Sequence, residues 1–155
     1  MGSLGDIMGS ICKVAFPIPE ESYLGNHNST ISICTLSSID LLKNIAASDI
    51  MGRIYIAGRL FSENRGIDSL VKYVNSHRHI RTIILCGQEV SGHRAGHSLL
   101  QLYKNGTNQN GRIKDSISPE PFLTISDEEI AYFQNHITLI NQIGLTDIAQ
   151  IRRLI

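Results

Sequence analysis

Three short apolar segments rich in β-branched residues alternate with stretches of helical periodicity, and this alternation constrains the fold more than any other feature. The apolar segments are TISICTL (30–36), RIYIAGRL (53–60) and RTIILCG (81–87). The stretches that follow them are predicted as helices over 38–48, 66–77 and 93–104. Strands and helices in alternation predict an α/β fold, Rossmann-like, in which a small parallel sheet with right-handed crossovers is flanked by helices.

The size of the chain fits one domain over 1–155, and 42% of its residues are hydrophobic, which is enough for a single core. Glycines and prolines interrupt residues 1–29, so this part is expected to be an irregular lead-in. The segment NGTNQNGRIKDSISPEP (105–121) predicts a long loop. A structureless loop of that length within a compact domain is usually functional or mobile.

The C-terminal part predicts two more helices. Ser126 and Glu129 have the spacing of a capping box, and the apolar positions after them recur at helical intervals until Gly144. Thr146 then caps a short last helix. We therefore expect the sheet to be covered by helices as far as the end of the chain.

Charge and cysteine usage narrow the class of protein. Lys plus Arg and Asp plus Glu both total 14, so the net charge is zero and a nucleic-acid partner is not expected. The cysteines, Cys12, Cys34 and Cys86, are odd in number and widely spaced, which fits unpaired thiols in a reducing cytoplasm. The N-terminus is a poor signal peptide, and no apolar run approaches the ~18 residues of a membrane span, so we expect a cytoplasmic chain.

The predicted topology gathers three connecting segments at one place. Ligands of open α/β sheets bind beyond the carboxyl ends of the strands. The segments that follow the three predicted strands are 36–38, 58–66 and 87–93. We therefore expect the binding site at the edge where these segments meet.

The third of these segments, GQEVSGHRAGHS, contains the residues with the most chemical potential. His93 is predicted at the start of a helix, where the macrodipole disfavours the imidazolium and keeps a neutral ring that can ligate a metal. Gly87 and Gly92 would let a large flat group approach the backbone. The ordinary alternative is a half-exposed histidine with only local hydrogen bonds.

Other chemistries fit this segment less well. His93 and His97 are one helical turn apart, but Arg94 breaks the HExxH pattern and no recognised spacing supplies further zinc ligands. The glycine spacing matches neither phosphate-binding motif. Ser91 lacks the GxSxG context of a nucleophile, and Cys86 at a strand end is more commonly a buried thiol than a reactive one.

The HxxG sequence at 93–96 is shared with the DxHxxG motif of many cobalamin-binding proteins, with Ser91 in place of the aspartate. With its neighbours included, the chain resembles the A subunit of tetrahydromethanopterin S-methyltransferase, a corrinoid protein of methane-forming archaea. The segments that carry this resemblance are YLG (23–25), GRLFSENRGID (58–68), HIRTIILCGQEVSGHRAGHSLLQLYKNG (79–106), PEPF (119–122) and FQNHITLINQIGLTDI (133–148).

The resemblance implies a Rossmann-like fold that carries cobalamin or a related cobamide, with His93 as the lower ligand of cobalt. It further implies a methyl carrier, in which cobalt(I) accepts a methyl group from methyl-tetrahydromethanopterin and passes it to coenzyme M, together with other methyltransferase subunits as partners. The full-length family member ends in a membrane-spanning segment. Since this chain ends at IAQIRRLI, it resembles the cytoplasmic domain or a soluble homologue.

The residues expected to contact the cofactor come from the three edge segments and the long loop. They are Leu36, Ser37, Gly58, Leu60, Asn64, Gly66, Gly87, Gln88, Glu89, Val90, Gly92, His93, Pro119 and Pro121. A ligating histidine needs a partner for its other nitrogen, and a backbone carbonyl or Glu89 is expected in that role. Two alternatives remain open: a nucleotide- or flavin-binding module, and an interaction domain whose cofactor site is empty.

Overall fold

A computed structural model of the chain describes residues 21–155 and shows one sheet with helices on both faces. The strands are β1 (Ser22–Leu24), β2 (Ile31–Cys34), β3 (Ile56–Gly58), β4 (Thr82–Leu85) and β5 (Thr138–Asn141). The helices are α1 (Ile39–Ala46), α2 (Arg65–Ser76), α3 (Ala95–Asn105), α4 (Asp127–His136) and α5 (Ile148–Arg152), and a 3-10 turn covers Asp49–Gly52. The predicted α/β class is confirmed.

The sheet is mixed, with strand order β1-β3-β2-β4-β5. Strands β3, β2, β4 and β5 are parallel, and β1 pairs antiparallel with β3 at one edge. The prediction of a purely irregular lead-in over 1–29 is wrong for Ser22–Leu24, which is too short and too exposed to give a clear period. The rest of the predicted lead-in up to residue 20, with Cys12 and the features weighed for a signal peptide, lies outside the described residues.

The long helix predicted after Ser126 is wrong in its second half. The capping box is present, with Ser126 accepting from the Glu129 amide, but α4 ends at His136 and the chain then enters β5. Strand β5, with the β-branched Thr138 and Ile140, pairs in parallel with β4, from Thr82–Thr138 to Leu85–Asn141. Helical and strand periods coincide over so short an apolar stretch, and the unpaired edge of β4 decides between them.

Two apolar layers lie on the two faces of the sheet. One is formed with α2, α3 and α4 and includes Leu85 and Phe133; the other is formed with α1 and α5 and includes Ile33 and Ile84. Cys34 and Cys86 are free and buried, and burial raises the pKa of both thiols to about 12. Cys86 therefore stays protonated at neutral pH and is not an activated nucleophile.

The long loop 105–121 has structure of its own, contrary to the expectation of a structureless segment. Bridges join Thr107 to Ile113 and Arg112 to Phe122. Within the loop, Ser116 and Ser118 are buried, and their hydroxyls lie 2.7 and 2.6 Å from the Ser98 hydroxyl on α3. The loop is thus fixed to the helix that follows the GQEVSGH segment.

The cap of the last helix also differs from the expectation. In α5 the cap is Asp147 instead of Thr146, because the Asp147 carboxylate accepts from the amides of Ala149 and Gln150. These bonds hold the pKa of Asp147 below its usual value. No helix within 21–155 has both the length and the apolar character needed to cross a bilayer.

Candidate functional site

His93 lies in the turn between β4 and α3, at the carboxyl edge of the sheet. The predicted helix start at His93 is wrong, because α3 begins at Ala95 and Arg94 adopts a left-handed conformation (φ 51°) as its cap. The His93 amide donates to the Val90 carbonyl at 3.2 Å. Its side chain is 56% exposed, so the ring is presented to the outside by a turn that is fixed on both sides.

The orientation of the imidazole is set by a buried carboxylate. His93 Nδ1 lies 3.0 Å from Glu63 Oε2, and the Glu63 side chain is only 1% exposed. A carboxylate only accepts hydrogen bonds, so the neutral tautomer that fits this contact has the proton on Nδ1 and the lone pair on Nε2. Within residues 21–155, Nε2 has no hydrogen-bond partner. In its neutral form the imidazole therefore has one nitrogen, Nε2, left to act as a ligand.

Glu63 also connects His93 to the long loop. Its second oxygen, Oε1, accepts from the Glu120 amide at 3.0 Å, and the Asn64 side chain donates to the Glu120 carbonyl at 3.2 Å. Glu120 stands between Pro119, which is exposed, and Pro121, which is buried. The two predicted prolines are thus held beside the residue that orients the ring.

The expected partner of His93 is therefore wrong, since Glu63 takes the role assigned to Glu89 or a backbone carbonyl. Glu63 was missed because its partner lies 30 residues away, and sequence spacing alone does not show which connection reaches the ring. A signal was nevertheless present: Glu63 belongs to the SENRGI segment, which follows a strand that ends at the same edge.

Glu89 instead holds the turn and the first amides of α3. Its carboxylate accepts from the amides of Val90, Gly96 and His97 at 2.8–2.9 Å. A Cβ at Gly96 would lie 3.0 Å from both Glu89 Oε2 and Leu36 Cδ1. Gly96 of the HxxG sequence is therefore needed for close packing under the turn.

His97 does not share a ligand position with His93. Its Nε2 lies 3.3 Å from the Ile117 amide and accepts from it, so the side chain is directed to the long loop. In the part of the chain that the structure describes, no group of three or more His, Cys, Asp or Glu residues could hold a metal ion. His93 thus offers a single nitrogen ligand and not a complete protein-based metal site.

The predicted residues of the first and third edge segments are joined by hydrogen bonds. The Ser37 hydroxyl donates to the Gln88 carbonyl at 2.8 Å, and the Gln88 amide donates to the Ser38 hydroxyl at 2.8 Å. Gly87 has φ 77°, and a Cβ there would lie 2.1 Å from the Thr35 carbonyl oxygen. Glycine is therefore required at this crossing of two chain segments.

The remaining predicted residues divide between the interior and the surface. The side chains of Leu36, Leu60 and Val90 belong to the core, with at most 8% exposed. Gly66 packs under Leu60, where a Cβ would lie 2.9 Å from Cδ1. A Cβ at Gly92, by contrast, would meet nothing within 4 Å, so the space beside His93 is open.

Comparison with known proteins places these features in a family. The family of tetrahydromethanopterin S-methyltransferase A subunits, MtrA, matches residues 13–155. The A subunit of the Mtx methyltransferase of Methanosarcina barkeri is 36% identical over 144 residues, which cover 91% of this chain and 68% of that protein. The second tetrahydromethanopterin S-methyltransferase A subunit of Methanothermobacter marburgensis is 28% identical over 90% of this chain and 77% of its own length.

A third relative is covered over a smaller part of its length. The first tetrahydromethanopterin S-methyltransferase A subunit of Methanothermobacter thermautotrophicus is 32% identical over 85% of this chain, and the match spans 55% of that protein. The chain thus corresponds to between about half and three quarters of these relatives. The family match covers nearly all of the sequence, His93 and Glu63 included. The chain belongs to the family of tetrahydromethanopterin S-methyltransferase A subunits.

Proposed function

We propose that the chain binds a corrinoid, cobalamin or a related cobamide, and that His93 Nε2 is the axial ligand of its cobalt. The observation that carries the proposal is the hydrogen bond between His93 Nδ1 and the buried Glu63, which in the neutral ring leaves Nε2 with its lone pair on an exposed side chain. Membership of a family of methyltransferase subunits supports a role in methyl transfer. When bound, the corrinoid would supply a cobalt centre that accepts and releases a methyl group.

The residues around His93 fit a metal ion that is already coordinated by a macrocycle. The described residues contain no cluster able to hold a bare ion, so a free metal would find only one strong ligand. A corrin ring supplies the equatorial nitrogens itself and needs only an axial one from the protein. A carboxylate that accepts a hydrogen bond from the other nitrogen of a ligating histidine commonly orients the imidazole and raises its basicity.

The surface beside His93 can accept a broad, flat group. Gly92 has open space around it, and Gln88 and Pro119 are exposed. We assign the contacts of the corrinoid to the predicted residues at this edge whose atoms reach the surface. They are Ser37, Asn64, Gln88, Glu89, Gly92, His93 and Pro119. Leu36, Leu60, Val90 and Pro121 support this surface from inside, and Gly58 and Gly66 lie to the α2 side of it.

The test is uptake of cobalamin by the purified full chain, followed by its visible spectrum. We expect stoichiometric binding with a spectral change that reports replacement of an axial ligand. Retention of a nucleotide or flavin with indifference to cobalamin would instead favour the nucleotide-binding alternative. Binding of a protein partner without any corrinoid uptake would favour the interaction domain.

The role of Glu63 gives a sharper prediction through the variant Glu63→Gln. The Glu120 amide requires an oxygen, so the new amide nitrogen of the variant would face His93 Nδ1 and donate to it. The proton of the ring would then move to Nε2, which blocks coordination although the shape is preserved. We expect corrinoid affinity, measured by visible titration with cobinamide, to fall about 10–100-fold.

Glu120→Gln is the matched control, because this neighbouring side chain is exposed and only its backbone contacts Glu63. The control is expected to bind cobinamide as the unmodified chain does. Equal affinities for both variants would show that Glu63 does not set the tautomer of the ligand.

A further inference from the structure

A cavity of about 270 Å³ lies between the sheet and α2, on the face opposite α1. Its apolar wall includes Ile56, Ile83 and Val74. Along α2 the lining runs from Arg65 to Val74, a distance of about 13 Å at the rise of an α-helix. The volume is slightly below the ~300 Å³ at which pockets for drug-sized ligands begin, so the cavity suits a smaller, elongated molecule.

A buried polar atom inside this cavity has no partner. Ser32 on β2 is 6% exposed. Among the buried side-chain oxygen and nitrogen atoms of residues 21–155, its hydroxyl is the one that has no hydrogen-bond partner. Ser32 lines the cavity together with Cys34, which lies two residues further on the same face of the strand. A buried hydroxyl without a partner is unfavourable in the folded state, and a ligand atom in the cavity would satisfy it.

The end of the cavity near the carboxyl edge is positively charged. Two arginines, Arg59 and Arg65, line it, and Glu21 adds one carboxylate to the lining, so the positive charges outnumber the negative one. The Arg59 guanidinium stacks 3.5 Å from the centroid of the Phe61 ring and makes only long bonds, of 3.3–3.4 Å, to backbone carbonyls. Burial lowers the pKa of Arg59, and neither arginine is in an ion pair among the described residues.

The first amides of α2 do not contribute to this charge. The Ser62 hydroxyl accepts from the Gly66 amide at 2.8 Å, and the Asn64 side chain accepts from the Arg65 amide at 2.7 Å. An anion at this end would therefore be bound by the guanidinium groups and not by the helix terminus. Guanidinium groups bind carboxylate and phosphate through paired, charge-assisted hydrogen bonds.

We propose that this cavity is a second binding site, for a small anionic amphiphile. The ligand has an apolar ring or short chain between the sheet and α2, a carboxylate or phosphate head at Arg59 and Arg65, and a hydrogen-bonding atom on its body that satisfies Ser32. The site borders the surface around His93, since Ser62 precedes Glu63 and Arg59 donates to the Ser37 carbonyl.

The test is an amide-shift NMR titration of the full chain with 4-hydroxybenzoate and with phenyl phosphate, which distinguish the two head groups. We expect at least one of them to bind saturably and to shift the amides of Ser32 and Cys34. The neutral 4-hydroxybenzyl alcohol and inorganic phosphate alone should bind at least about 10-fold more weakly, since each lacks one half of the recognised chemistry.

Matched variants separate the proposed contacts from general effects. Arg65→Gln should weaken binding about 10-fold, the usual effect of one charge-assisted bond, whereas Lys72→Gln, an exposed change on the same helix, should not. Ser32→Ala should remove any advantage of the probe's hydroxyl without lowering the melting temperature of the free chain. His93→Ala should leave binding unchanged, which separates this site from the corrinoid site.

Three results would overturn the proposal. The first is the absence of saturable shifts at Ser32 and Cys34 with both anions. The second is equal affinity for the neutral alcohol. The third is an equal effect of the Arg65 and Lys72 variants.

Discussion

Replacing His93 by alanine is expected to abolish the spectral change on corrinoid binding and to lower affinity by at least about 100-fold. The loss of a ligating atom should exceed the 10–100-fold effect typical of the residues that orient a ligand. The His93 side chain is half exposed and bonds only to Glu63, so the fold should persist. Visible titration with cobinamide measures the affinity, and far-ultraviolet circular dichroism measures the fold.

The matched control is His97→Ala, four residues further along. The His97 ring accepts a bond from the Ile117 amide and contributes nothing to the His93 side of the turn. This variant should keep the spectral change and nearly the full affinity. Persistence of the spectral change in the His93 variant would assign the axial position to another residue.

Replacing Asp68 by alanine is expected to destabilise the chain by about 2–3 kcal/mol. Asp68 is a buried carboxylate on α2 that accepts from the Thr124 amide and hydroxyl, at 3.1 and 2.8 Å, and from the Ile125 amide at 3.3 Å. Its loss removes charge-assisted bonds and leaves backbone donors without their acceptor. Since a domain of this size loses about 2–4 °C per kcal/mol, the melting temperature should fall by roughly 4–12 °C.

This change also reaches the candidate site, because the Thr124 segment directly follows the loop that contacts Glu63. The variant should bind cobinamide more weakly than the parent chain at the same temperature. Asp127→Ala is the control, since that carboxylate is exposed on α4 and accepts no hydrogen bond among residues 21–155. Equal melting temperatures for the two variants would contradict the anchoring role of Asp68.

The sequence predicted the central part of the fold because its signals there are local. The β-branched segments of β2, β3 and β4 lie between strong helical periods, and buried parallel strands have this composition. Strands β1 and β5 were missed because each is short, half exposed and defined by its pairing partner. Sheet edges depend on tertiary contacts that no local period reports.

The sequence predicted which segments meet at the candidate site, but it did not predict the hydrogen bonds between their side chains. The rule that ligands bind at the carboxyl ends of parallel strands brought His93 and the loop after β3 to one edge. The pairing of His93 with Glu63, and the use of Glu89 as the acceptor for the first amides of α3, depend on the turn at Arg94. Sequence patterns rarely predict that a residue other than glycine adopts the left-handed conformation.

Electron paramagnetic resonance of the chain loaded with cobalt(II) cobinamide tests axial coordination by His93 most directly. Cobinamide lacks the nucleotide base, so any axial nitrogen must come from the protein. We expect a triplet nitrogen splitting on the cobalt lines, which becomes a doublet when histidine is labelled with nitrogen-15 and disappears in the His93→Ala variant. A spectrum of water-ligated cobinamide, unchanged by the label, would contradict coordination by His93.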